Sequence, residues 1–320
     1  MPEPAPAPGA ASRADPRADP SARPGRLGVG VVGGGRVGAV LGASLRAAGH
    51  AVVGASGVSE QTRDRVEALL PGVPLLEVPE VVRRAELVLL AVPDDALPDL
   101  VAGLAATGGW QAGQLVVHTA GRYGVDVLAP ARAAGAIPLA VHPAMTFTGT
   151  SLDLARLVDC SFAVTAPGPV LPVAQALVVE MGGDPVVVAE GDRALYHAAL
   201  SHGANHLVTL VAQARELLAA AGVAEPARVL GPLLQASLDG ALRAGDDALT
   251  GPVARADAGT LAAHRAALAE HAARTGSAEV PDTHRALARA TAGRALARGR
   301  LSPEAAARLL SLLADPPPSA

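Results

Sequence analysis

The stretch Gly30–Gly42 reads "GVVGGGRVGAVLG" and holds six glycines. What flanks it decides its meaning. "RLGVGVVG" before it has the apolar character of a buried strand, and "RVGAVLGASLRAAG" after it has helical spacing and stops at Gly49. A flexible linker would not lie between two such elements. Gly33, Gly35 and Gly38 fill the three positions of a G-x-G-x-x-G turn. The first permits a tight turn, the second lets backbone approach a diphosphate, and the third lets helix and strand pack closely. The opening of the helix, with Arg36 and Val37, then aims free N–H groups and a positive dipole end at the phosphates. The stretch therefore predicts a dinucleotide site.

A coenzyme without a 2′-phosphate is usually held by an acidic residue at the end of the second strand. Here that strand ends "VVGASGVSEQTRDR", with no acid before Glu60. NADP is the expected coenzyme. Ser56 and Ser59 can donate hydrogen bonds to its 2′-phosphate, and Arg36 or Arg63 can supply charge. Arg63 reads equally as a solvated helix position.

Outward from this loop the pattern alternates. "HAVVGAS", "VPLLEV", "ELVLLAVPD", "GQLVVHTAG" and "AIPLAVHPAM" read as strands, separated by helical segments. This spacing gives a parallel, doubly wound α/β sheet of the Rossmann type. "SFAVTA" and "DPVVVA" add two strands around the helix "GPVLPVAQALVVEMGG". From Gly191 to about Leu313 only helical patterns follow, beginning with one long run from Asp192. The expected organisation is a disordered tail over 1–26, a dinucleotide-binding domain over 27–190, an all-helical domain over 191–313 for substrate and dimerisation, and a tail over 314–320.

In such a sheet, ligands meet the carboxyl ends of the strands. Those ends carry "AVPDD" with Pro93, "HTAGRYG" with His118, and "HPAMTFTG" with His142. Pro93 and His118 are expected beside the coenzyme. Each histidine reads otherwise as a structural side chain. On the long helix, His197, Ser201 and Asn205 recur every four residues and would share one side. A cleft or a hydrated interface would satisfy this polar band. Thr250 and Arg255, in "LTGPVARADAGTLAAH", are candidates to hold a substrate carboxylate. Capping and salt bridging account for that segment equally well.

Composition narrows the field. Net charge is −4, which gives no basic face for nucleic acid. All cationic side chains apart from histidine are arginine, since the chain has no lysine, so Schiff-base and P-loop lysine chemistry are excluded. One cysteine, Cys160, allows no disulfide framework or zinc ribbon, and its apolar setting reads as a packed thiol. No metal site is expected. No signal peptide or membrane-spanning run is evident, so a cytoplasmic protein that binds neither membrane nor nucleic acid is expected.

The segments "GVVGGGRVG", "VPDDAL", "VVHTAGRYGVDVL", "HPAMTFTG", "YHAALSHGANHL" and "LTGPVARADAGT" occur in this order over residues 27–313. Together they resemble Rossmann-like proteins with a C-terminal domain of unknown function. These lie within the superfamily of 6-phosphogluconate dehydrogenase, ketopantoate reductase and pyrroline-5-carboxylate reductase. The resemblance implies a cytoplasmic homodimer whose helical domain covers the cleft. It also implies NADPH-dependent reduction of a small 2-keto acid, ketopantoate first, in pantothenate biosynthesis. The alternatives are an imine reductase like pyrroline-5-carboxylate reductase, or a non-catalytic nucleotide-binding protein. Ordinary ketopantoate reductases place a lysine four residues before an asparagine. Asn205 matches the asparagine, but Ser201 stands in place of the lysine. The candidates to give the proton, directly or through water, are then His197, His142 and Tyr196.

Overall fold

The computed structural model describes residues 26–314, so the expected tails fall outside it except for Arg26 and Ala314. The chain divides into two compact units after Ala204. Seven strands form one sheet in the first: β1 (Gly28–Val32), β2 (Ala51–Ala55), β3 (Leu87–Leu90), β4 (Leu115–His118), β5 (Ile137–Pro143), β6 (Ser161–Thr165) and β7 (Asp184–Val187). Its helices are α1 (Arg36–Ala47), α2 (Glu60–Leu69), α3 (Val78–Arg84), α4 (Leu97–Ala106), α5 (Ala129–Ala133), α6 (Leu152–Arg156), α7 (Leu171–Glu180) and α8 (Arg193–Leu200).

Side-chain alternation along the strands sorts them between two cores. Val29, Val31, Leu87 and Leu89 face the layer of α1, α2 and α7. Val32, Val88 and Leu90 face α3, α4 and α5. All four residues of β3 are buried, as expected of a strand covered on both sides. Trp110 sits in the second core, and its Nε1–H donates to the Val101 carbonyl at 3.2 Å.

The strand order is β2-β1-β3-β4-β5-β6-β7. The direction of winding reverses at β1, so a crevice opens above β1 and β3. The sheet is parallel from β2 to β5, but β6 runs antiparallel to β5, and β7 follows β6 in parallel. "VPLLEV", read as a strand, contributes one isolated bridge between Leu75 and Ala55.

The second unit is helical: α9 (His206–Ala220), α10 (Pro226–Ala244), α11 (Gly251–Ala254), α12 (Ala258–Thr275), α13 (Glu279–Ala297) and α14 (Pro303–Leu312). Its core is built largely of alanines, among them Ala288, Ala292 and Ala295 on one side of α13. The division comes later than the change of sequence pattern at Glu190. Arg193 of α8 bonds to strands of the sheet, so α8 belongs to the first unit. Among the described residues, no helix is long and apolar enough to cross a membrane.

Few large side chains fill this sheet, so each carries much of its packing. Phe162, fully buried on β6, is one of two phenylalanines in the chain. Phe162→Ala should cost about 3–5 kcal/mol of unfolding free energy. Urea unfolding should record this as a lower midpoint at an unchanged slope.

Candidate active site

The glycine loop follows from steric necessity. Gly33 has φ +93°, and a Cβ there would press on the Ala91 carbonyl of the next strand end. A Cβ on Gly38 would collide with the Gly33 carbonyl oxygen, so this glycine sets how closely α1 approaches the loop. Gly35 differs, because a Cβ there would meet nothing within 4 Å. Its bare backbone borders a cavity of ≈ 610 Å³, lined also by Gly33, Ser59, Thr62, Arg63 and Pro93. The first N–H groups of α1, from Arg36 through Gly38, have no intrahelical acceptor. A bare backbone, open space and a helix start match what a diphosphate needs.

Ser56 has a task beyond the one expected. It is buried, and its Oγ accepts from the Gly33 N–H at 3.1 Å while its carbonyl accepts from the Gly34 N–H at 2.7 Å. It braces the loop, and because it also lines the cavity its own O–H is left to donate there. Ser59 caps α2 by accepting from the Thr62 N–H. Arg63 is the cation that lines the cavity, whereas Arg36 is exposed and lies against the loop at Gly149. Val37 packs its side chain on the sheet core.

His118 also departs from expectation. It is fully buried, with Nε2 2.7 Å from the Gly124 carbonyl and Nδ1 accepting from the Ala120 N–H at 3.2 Å. Both ring nitrogens are occupied, so His118 shapes the loop after β4 and has none left for a coenzyme. Burial pushes its pKa down to about 4, against the upward pull of the Gly124 bond. It is therefore neutral, with the proton on Nε2.

The chemistry-bearing groups gather at the end of β5. His142 Nδ1 lies 3.0 Å from the Tyr196 hydroxyl, and its ring meets His197 edge-on at 5.7 Å between centroids. Gly121 makes room for this cluster: a Cβ there would strike the His197 ring and approach His142 Nε2 to 3.0 Å. Burial raises the pKa of Tyr196, so the phenol keeps its proton and donates it to Nδ1. Burial holds His142 at about 4, helped by His197, Arg193 and His118. Its own proton therefore resides on Nε2, on the Gly121 side.

Sequence reasoning missed Arg193. Its side chain is buried among the strands. Nε donates to Thr165 Oγ1 at 2.8 Å, and one Nη donates to the carbonyls of Ala140 at 2.8 Å and Ala163 at 3.2 Å. The other, Nη1, has no partner among the described residues. Burial lowers its pKa to about 10, so it stays charged. The loop after β5 has its own brace. Buried Asp153 accepts from the N–H groups of Thr148 and Gly149, at 2.8 and 2.7 Å, and seats Gly149 beside Arg36.

The predicted polar band does not run straight. Between α8 and α9 a π-helical turn, Ser201–Asn205, inserts i→i+5 geometry. The spacing that aligned His197, Ser201 and Asn205 on one side assumed unbroken α-helix. His197 and Ser201 belong to the first unit and Asn205 to the second. Thr250 and Arg255 also lie in the second unit, both exposed. Asp257, beside them, caps α12 through Thr260. Among the described residues no group of three potential ligands can hold a metal.

Family models match the chain as a Rossmann-like domain over residues 13–143 and a domain of unknown function, DUF2520, over 160–291. This chain is a Rossmann-like protein with a C-terminal DUF2520 domain. No curated protein matches it. Solved structures share the fold of this Rossmann-like–DUF2520 chain at low identity. A protein from Bacteroides fragilis is 21% identical, covering 83% of this chain and 98% of its own, with a TM-score of 0.68. An imine reductase from Pseudomonas sp. is 18% identical over 91% and 100%, at 0.61. A reductive aminase from Aspergillus terreus, solved with NADPH and ethyl levulinate, is 18% identical over 90% and 99%, at 0.60.

Buried His118 and half-buried His142 give a pH dependence of known sign. Their folded pKa values lie below the ordinary 6.5, so between pH 6.5 and about 4 the unfolded chain binds more protons. Stability is full above pH 6.5 and should fall as pH drops through this window. The NMR titration midpoint of His142 should lie near 4, and His142→Gln should flatten the acid limb of the stability curve.

Proposed function

We propose that this chain is an NADP(H)-dependent oxidoreductase that reduces a C=O or C=N bond in a small substrate, with ketopantoate as the first 2-keto acid to test. The observation that carries the reading is the Tyr196–His142 hydrogen bond at the carboxyl end of β5, behind side-chain-free Gly121. When bound, the reduced nicotinamide supplies the hydride. The chain must then deliver one proton, and it has no lysine to do so. His142 gives the Nε2 proton to the substrate's oxygen or nitrogen while Nδ1 takes the phenol proton of Tyr196. Arg193, whose charge favours the Tyr196 phenolate, stabilises that state until solvent reprotonates it. His197 flanks the transfer, and Ser201 and Asn205 remain candidates for orienting the substrate. Thr250 and Arg255 are the proposed carboxylate anchor. Gly33, Gly35, Gly38 and Pro93 would hold the coenzyme, with Arg63 at its 2′-phosphate.

A C=N substrate is a second reading because imine reductases and a reductive aminase share the fold. Purified protein should oxidise NADPH faster than NADH on adding ketopantoate or a cyclic imine, and the faster class decides between them. Silence with both classes would remove the enzymatic reading. Tyr196→Phe should lower kcat by about 10²-fold, the size of one general-acid contribution, with NADPH affinity within about twofold. Gly35→Ala should weaken NADPH binding at least about tenfold in calorimetry, because its Cβ enters the space reserved for the diphosphate, while the melting temperature holds.

A further inference from the structure

The helical unit contains a cleft that the proposed reaction does not use. Helices α9, α12 and α13 splay around ≈ 480 Å³, a volume within the range of small-molecule sites. Small residues create the space: Ala220, Ala221 and Ala267 line it, with Leu217 and Leu268 as its bulkier apolar walls. Polar ties link the helices. Buried His271 on α12 bonds Glu216 on α9 at 3.0 Å. Gln213 on α9 donates to Glu279 and Thr283 on α13, at 2.9 and 3.1 Å.

Arg274 supplies the one fixed charge on the lining. His264 and His284 meet edge to face at 5.9 Å, and Arg274 stands in the last turn of α12. Among the described residues Arg274 has no ion pair or hydrogen bond, and no carboxylate lines the cleft. The nearby Glu216 is engaged with His271. An aliphatic floor beside an uncommitted guanidinium and two imidazoles complements a molecule with an apolar body and a single anionic head. A guanidinium fork matches a carboxylate in particular.

We propose that the α9–α12–α13 cleft is a binding site for a small aliphatic carboxylate, held at its head by Arg274 and the His264–His284 pair. The probe is sodium octanoate added to the full chain, followed by calorimetry and by the NMR shifts of His264 and His284. Octanoate should saturate tighter than about 1 mM, with 1-octanol and inorganic phosphate each at least about tenfold weaker. Arg274→Gln, at an exposed position, should keep the fold by circular dichroism and weaken octanoate at least about fivefold. His264→Gln provides a second variant at an exposed site. Equal binding of octanol, an unchanged affinity in both variants, or no saturation overturns the proposal. So do histidine shifts that follow protein concentration instead of octanoate, since a second copy of the chain would then fill the cleft.

Discussion

A buried guanidinium with no carboxylate bonded to it is the constraint on which the candidate site depends. Taking such a charge out of water is costly, and Arg193 recovers part of that cost through two backbone carbonyls and a threonine hydroxyl. Those acceptors belong to β5 and β6, so the same bonds clamp the one antiparallel junction of the sheet. The charge, which Glu190 offsets only from a distance, also acts on its neighbours. It opposes protonation of His118 and His142 and favours the ionised form of Tyr196. One side chain thus joins the packing of the sheet to the proton inventory of the cluster above it.

The reversal at β6 gives that cluster its partners. Arg193 reaches Ala140, and Tyr196 three residues later reaches His142, so α8 climbs in the same direction as β5. It delivers Tyr196 and His197 to the strand end where the loops after β4 and β5 converge. A β6 parallel to β5 would have released the chain at the opposite edge, and these side chains would have come from elsewhere.

Features with local causes were legible in the sequence. The glycine loop is one: Gly33 and Gly38 answer contacts made within a few residues or by the adjoining strand. The two-sided burial of "LVLL" is another. Strand direction was not legible, because "SFAVTA" has the same pattern whichever way it pairs. Ser56 and His118 were read as ligand contacts because polar residues at strand ends usually face the crevice. Here both His118 nitrogens are taken by the loop after β4, and the Ser56 oxygen also accepts from the Gly33 N–H, and periodicity cannot reveal such partners. Arg193 looked like an ordinary residue at a helix start, and only the strands around it show that it is buried. The π turn leaves no compositional mark, so a spacing of four suggested an alignment that the backbone breaks.

The scarcity of aromatic residues has an experimental side. Trp110, both tyrosines and both phenylalanines all lie before residue 204, in the sheet-containing unit. The only indole is shielded at 6% exposure against α4. Intrinsic fluorescence and near-ultraviolet dichroism are therefore blind to the helical half, while far-ultraviolet dichroism sees mostly helix from both. Comparing the melting curves from the two kinds of light separates the halves without labels, tags or truncation.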